Sequence, residues 1–170
     1  MFREMRRKNQ ALTPEECLGV LHRGTSGVLA VQGDGDYPYA VPLSYVCDGG
    51  GRRILFHCAR AGHKLDAILA HDKASFCVVD RDQVVSGEFT TYFRSVIVFG
   101  RARVLEDEAQ RRGALELLGR RYSPGDEAAL AAEIDAQLAH TCLVELTVEH
   151  MTGKEARELA RARDKAKAQE

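Results

Sequence analysis

A mainly β fold, a small closed or half-closed antiparallel barrel with helices packed outside it, is what the sequence predicts. Six segments have strand character and are joined mainly by hairpin-length turns, with only short helices between some of them. A doubly wound parallel sheet would need a crossover helix after most strands, and the chain does not offer one that often. At 170 residues the chain is long enough for one domain with a real core and no disulfide or structural metal.

The elements follow in order. Thr13-Pro14-Glu15-Glu16 starts a helix: Thr13 can cap it, Pro14 suits the first helical position, and Glu16 completes a capping box. This helix runs through Cys17, Leu18 and Leu21 and should stop at Gly24. Residues 26–32, SGVLAVQ, read as the first strand. Gly33-Asp34-Gly35-Asp36 is a hairpin turn. It lacks the third glycine of a dinucleotide loop, no helix follows it, and its aspartates would repel a phosphate.

The second strand, 38–46, contains Pro38 and Pro42. Pro42 has no N–H for a neighbouring strand, so this one must be bent, bulged or at an edge. Such a strand leaves backbone groups free for the polar rim of a planar heterocycle; protection of an edge against aggregation accounts for the prolines equally well. The glycines at 49–51 turn the chain into strand 53–58, and the loop Arg60-Ala61-Gly62-His63-Lys64 opens into a helix with Leu65, Ile68 and Leu69 on one face.

Residues 74–80 are a buried strand, and 89–105 a long one with Gly100 as its bend point. In the long strand Val96 and Val98 face one way, and Ser95, Ile97 and Phe99 the other. Acids at 106–108 start a helix that runs to about Tyr122, Ser123-Pro124-Gly125-Asp126 breaks it, and a second helix carries Leu130, Ile134 and Leu138. The last strand, 141–149, points Cys142, Val144, Leu146 and Val148 inward and Glu145, Thr147 and Glu149 outward. From Lys154 the tail is helix-prone but nearly without apolar residues, and is expected to bury no face of its own.

Composition narrows the partners. Lys and Arg number 24 against 25 Asp and Glu, for a net charge of -1, which offers nucleic acid no general attraction. No stretch approaches the length of a transmembrane helix, so no membrane partner is expected. The basic N-terminus MFREMRRKNQ has no apolar run behind it and does not read as a secretory signal; it is a solvated arm, or a help in holding an anionic ligand. Five scattered cysteines without a Cys-x-x-Cys pair fit reduced thiols in a cytoplasmic protein. The histidine spacing matches no standard zinc set, and no metal is expected.

One stretch can hold chemistry. A phosphate monoester wants fixed cations and free backbone N–H groups, and Gly62, His63, Lys64 and the following helix N-terminus supply both. Taken alone, the same residues are also an ordinary polar loop. His57 is either a hydrogen-bonded strand histidine or faces a ligand as a proton donor. Cys58 reads as packing, since nothing nearby in sequence lowers its pKa. Arg94 could meet a phosphate or lie in solvent. Hydrolase and triphosphatase motifs are missing.

YPYAVPLSYV, FHCARAGHKLDAIL, TTYFRSVIVFGRARVLED and HMTGKEA, in this order and spacing, resemble the pyridoxamine 5'-phosphate oxidase-like flavoproteins, most closely their nitroimidazole-resistance branch. The resemblance covers roughly residues 5–157. It implies a six-stranded split barrel over 1–153, with 154–170 as a charged helical tail that is no separate domain. It also implies a homodimer with FMN between the protomers. By position, Val41, Pro42, Leu43 and Ser44 would lie along the isoalloxazine, and His57, Cys58 and Ala59 along the ring and ribityl chain. His63 and Lys64 would take the phosphate where the oxidases carry an Arg-Lys pair, while Arg94 and Ser95 would reach the flavin from the second subunit. The oxidases' substrate-binding segment has no counterpart, because this chain lacks tryptophan and ends in a charged tail. The expected function is therefore an FMN-dependent oxidoreductase with His57 as its catalytic residue. NAD(P)H would be the donor and a small aromatic or nitro compound the acceptor. A flavin- or haem-binding barrel without turnover is the alternative.

Overall fold

A computed structural model describes residues 2–169. The first helix, α1 (Pro14–Arg23), carries the expected capping box: Thr13 Oγ1 accepts from Glu16 N–H at 3.2 Å, and the Glu16 carboxylate accepts from Thr13 N–H at 2.8 Å. Gly24 ends the helix in an extended conformation. A Cβ there would meet the Tyr45 hydroxyl at 2.6 Å and Val78 at 2.7 Å, so this glycine permits close packing and plays no left-handed capping role.

Among the described residues, seven strands, one more than expected, form a single antiparallel sheet. They are β1 (Ser26–Gln32), β2 (Pro38–Ser44), β3 (Val46–Cys47), β4 (Arg53–Cys58), β5 (Lys73–Val85), β6 (Thr90–Val104) and β7 (Cys142–Glu155). Their order is β2-β1-β5-β6-β7-β4-β3. The extra strand arises because 38–46 breaks at Tyr45: Pro38–Ser44 pairs with β1 at one edge of the sheet, and Val46–Cys47 pairs with β4 at the other. One residue joining opposite edges forces the sheet to roll until those edges meet at Tyr45. The result is an open, rolled sheet of the split-barrel kind rather than a closed barrel. Pro42 sits on its β2 edge, where proline is tolerated.

Alternation sorts the side chains. Leu29, Val31, Ile54, Phe56, Phe76, Val78, Val96, Val98, Val144 and Leu146 fill the inside of the roll with Tyr45. The core is closed by α1 and by α2 (His63–Ala70), through Val20, Leu21, Leu65 and Ile68. Gly100 lies at a register shift in β6, where any Cβ would run into the Thr147 carbonyl. Outside the roll, α3 (Glu108–Tyr122) lays Ala114 and Leu118 on Leu55 and Leu143, and α4 (Glu127–Gln137) folds back on α3. Glu145 points outward as expected but is only 5% exposed, because Arg53 and Arg103 cover it.

Tyr122 pins this helical pair to the rolled edges. Its hydroxyl accepts from the Tyr45 N–H at 2.9 Å and donates toward the carbonyls of Tyr45 and Thr25. Tyr122→Phe is expected to cost about 1–2 kcal/mol, a hydroxyl's worth of bonds to otherwise unpaired backbone, read as a lowered denaturation midpoint. A change below about 0.5 kcal/mol in that assay would mean that water replaces the hydroxyl without loss.

The charged tail departs from expectation. β7 continues through Glu155, and α5 (Arg157–Lys167) docks with Ala156 and Ala160 buried at 2% and 3% exposure. Small alanines let the helix come close, and Arg163 and Lys167 fasten it to Glu16 on α1 at 3.1 and 2.9 Å. Ion pairs replace the apolar face that the tail lacks.

Candidate functional site

Two strand edges meet at Tyr45, and α2 starts farther along β2, where His63 stacks on Tyr39; most of the expected site residues lie along this seam. On β2 the alternation turns Val41 and Leu43 toward the core, against which they pack, and leaves Pro42 and Ser44 exposed. The first pair can offer a ligand only backbone groups; the second pair presents side chains. On β4 His57 is exposed on the outer face, next to the half-buried Cys58, with Ala59 exposed just beyond. Ser44 and His57 share a cleft of about 520 Å³ whose far wall is Leu115, Leu118, Leu130 and Ile134. That wall belongs to the α3–α4 pair, which sequence reading did not connect with the site. Only the spacing of Leu130 and Ile134 hinted at an apolar helix face needing a partner.

Cys58 lies opposite Cys142 in the β4–β7 register. Burial and the neighbouring Cys142 push its thiol up to about 11 against a smaller lowering by Lys64, so it is a packed thiol and no nucleophile.

At the start of α2, Gly62 takes φ 126°, in the left-handed region that favours glycine, and no side chain caps the helix. Leu65 and Asp66 N–H turn back to the Gly62 carbonyl, which leaves the His63 and Lys64 amides at the open end, and Lys64 forms no ion pair among the described residues. His63 stacks on Tyr39 with ring centroids 4.1 Å apart, and its Nε2 accepts the Asp34 N–H at 3.3 Å. His63 is thus already engaged by Tyr39 and Asp34, and the cation left for a ligand is Lys64. An unpaired lysine, uncapped helix amides and a glycine without obstruction fit a phosphate monoester.

Arg94 and Ser95 lie apart from this cluster, on β6 in the middle of the sheet. Arg94 is held by Asp80 at 3.3 Å and by Glu155 at 2.9 Å. Ser95 is half-buried on the opposite, outer face, in line with Ile97 and Phe99. Within one chain, therefore, nine of the eleven expected residues lie along the β2–β4–α2 seam and these two lie on β6. No group of three or more His, Cys, Asp or Glu that could hold a metal occurs among the described residues.

Three solved structures illustrate what the fold resembles. A protein described as a 5-nitroimidazole antibiotic resistance protein from Bacteroides thetaiotaomicron superposes with a TM-score of 0.71 at 16% identity, over 85% of this chain and 86% of that one. An FAD and heme binding protein from Mycobacterium smegmatis gives 0.75 at 25% identity, over 88% and 74%. An FAD-binding protein from Mesorhizobium loti gives 0.62 at 26% identity, over 86% and 97%. No curated protein matches the chain. A family model described as pyridoxamine 5'-phosphate oxidase matches residues 13–155, a span that runs from the Thr13 cap to the end of β7 and takes in the whole cluster. The chain belongs to the pyridoxamine 5'-phosphate oxidase family.

Proposed function

We propose that this protein is a flavin-dependent oxidoreductase that binds FMN and reduces small aromatic or nitro compounds. The observation that carries the reading is the cleft that Ser44 and His57 share at the rolled edge, with Lys64 and the uncapped start of α2 following directly after β4. Kinship with proteins described as FAD-binding supports a flavin as the ligand class. When bound, the flavin supplies the electron-carrying ring, and a nicotinamide donor would reduce it. Lys64 and the α2 amides would hold the phosphate, while the free edge of β2 offers backbone donors and acceptors along the ring. His57 is placed to hold or give a proton to an acceptor lying in the cleft beside Leu115 and Ile134.

The functional unit in this reading is a homodimer in the cytoplasm. Val28, Val79, Ile97 and Phe99 leave 39%, 60%, 40% and 37% of their surface exposed on the outer face of β1, β5 and β6. Ser95 lies on that same face, so a second copy seated there would carry its own Ser95 toward this chain's edge. Arg94 would first have to give up Asp80 and Glu155, and its weight in the site is correspondingly smaller.

Absorption of the purified protein tests the cofactor directly: flavin bands bleached by NAD(P)H and restored by a nitroaromatic are expected. A colourless protein that takes up no FMN sinks the reading. His57→Ala is expected to lower acceptor turnover about 100-fold, within the range of a lost general acid, and to leave FMN affinity within a factor of about three. Unchanged turnover would remove His57 from the chemistry. A second reading, haem bound with His57 as axial ligand, is favoured by the exposed imidazole on a 520 Å³ cleft and by the relative described as binding FAD and heme. A Soret band that shifts in His57→Ala would select it.

A further inference from the structure

A second cavity, of about 530 Å³, lies away from the α2 loop where the basic N-terminal arm meets the start of α5 and the first residues of β6. Its walls include Arg7, Gln10, Thr91, Phe93, Ala156 and Arg157, and Glu158 also lines it. We propose that this cavity binds an organic phosphate of nucleotide size, with the phosphate at the start of α5 and the organic part against Phe93.

Four features of the cavity converge on an anion. Ala156 is the N-cap of an 11-residue helix and offers no capping side chain, so the first-turn amides of α5 lack the acceptor that Ser, Thr, Asp or Asn would give. Arg157 and Arg7 both line the cavity with that helix start. Their only acid is Glu158, 3.3 Å from Arg157, so the lining keeps an excess of one positive charge. The fourth feature is independent of the helix. Gln10 is only 4% exposed, yet its amide nitrogen donates to nothing among the described residues; Oε1 accepts from Arg7 at 3.4 Å. That nitrogen is left for an acceptor outside the chain. The little surface Gln10 retains opens onto this cavity, where a ligand oxygen would satisfy it.

Size and lining extend the ligand beyond a bare ion. Inorganic phosphate would leave most of 530 Å³ empty, a volume within the range of small-molecule sites. Phe93 offers an aromatic wall, with the Lys154 ammonium 5.3 Å from its ring centre, and the Thr90 and Thr91 hydroxyls can meet ribose or base oxygens. These residues are distinct from Lys64 and His57, so the site stands or falls separately from the flavin assignment.

Calorimetric titration of the full chain with 5'-AMP tests this. Saturable one-to-one binding is expected, weakened about tenfold or more in Arg157→Gln and in Arg7→Gln, each replacing a charge-assisted contact. Gln10→Leu, which keeps the bulk and removes the amide, should also weaken it. Lys64→Ala should leave it unchanged, and inorganic phosphate should bind more weakly than 5'-AMP. Melting curves of each variant confirm that the fold is intact. No saturable binding at millimolar 5'-AMP, equal affinity in the arginine variants, equal affinity for inorganic phosphate, or loss of binding in Lys64→Ala each overturns the proposal.

Discussion

Glu155→Ala is expected to destabilise the fold by about 3 kcal/mol, the low end of what breaking a buried ion pair from one side costs. Glu155 is fully buried at the end of β7. Its Oε2 accepts from Arg94 at 2.9 Å, and Arg163 Nη1 lies 2.9 Å from Oε1, off the angle of a hydrogen bond, so that oxygen is held by charge alone. The carboxylate is the midpoint of a chain of charges. Arg23 binds Asp80, Asp80 binds Arg94, Arg94 binds Glu155, Glu155 binds Arg163, Arg163 binds Glu16, and Glu16 binds Lys167. This chain ties α1, β5, β6, β7 and α5 together. Its removal leaves two arginines facing each other across a buried gap, softened because Arg94 keeps Asp80, Arg163 keeps Glu16 and Asp164, and the two remain 20–29% exposed. For a urea m-value of about 2 kcal/mol/M, the midpoint should fall by roughly 1.5 M. A fall of less than about 0.3 M would show that α5 is held by its alanines and that the charges are incidental.

The same network sets a pH direction. Burial raises the Asp80 carboxyl, but hydrogen bonds and charge from Arg23 and Arg94 outweigh it and leave its pKa below the ordinary value. A carboxylate depressed in the folded state contributes stability that is present above its unfolded pKa, about 3.9, and lost as pH falls through the folded value. Asp80→Asn should therefore cost stability near neutral pH, and its deficit against the wild type should shrink in acid as the wild-type Asp80 takes up its proton.

What could be read in the sequence was what neighbours in the chain decide. The α1 cap depends on Thr13, Pro14 and Glu16, all within one turn, and the faces of β6 depend on alternation around Val96 and Val98; both are found as expected. What escaped depends on contacts between distant segments. The break at Tyr45 arises because its hydroxyl reaches the Leu21 carbonyl and its backbone receives Tyr122, 77 positions away. β5 runs on to Val85 because residues 81–85 pair with 90–94 in a hairpin that projects beyond the core, so their polarity hid the strand. The docking of α5 was hidden for the opposite reason, since charged residues there do what apolar ones usually do. At the site, the local pattern put Gly62, His63 and Lys64 at a helix start, where α2 begins, and the resemblance pointed to β2 and β4. Neither could reveal that Arg94 is already paired, because Asp80 and Glu155 are 14 and 61 positions distant.

Lys64→Ala is expected to weaken FMN binding about 10- to 100-fold while leaving the fold intact, the equivalent of one charge-assisted hydrogen bond of about 1.5–3 kcal/mol. Lys64 is the residue to change because its neighbour is occupied: His63 stacks on Tyr39 and accepts from Asp34, whereas the Lys64 ammonium has no acid partner among the described residues. Riboflavin separates a phosphate contact from general damage. If Lys64 holds the phosphate, wild type should prefer FMN over riboflavin, and the variant should lose most of that preference with riboflavin affinity nearly unchanged. Lys64→Arg should restore much of it, since a guanidinium also pairs with phosphate. Raised salt should narrow the gap in wild type more than in Lys64→Ala, because a half-exposed charge is screened. Equal loss of both ligands would point instead to a disturbed β4–α2 loop, and full FMN affinity in Lys64→Ala would move the phosphate elsewhere on the chain.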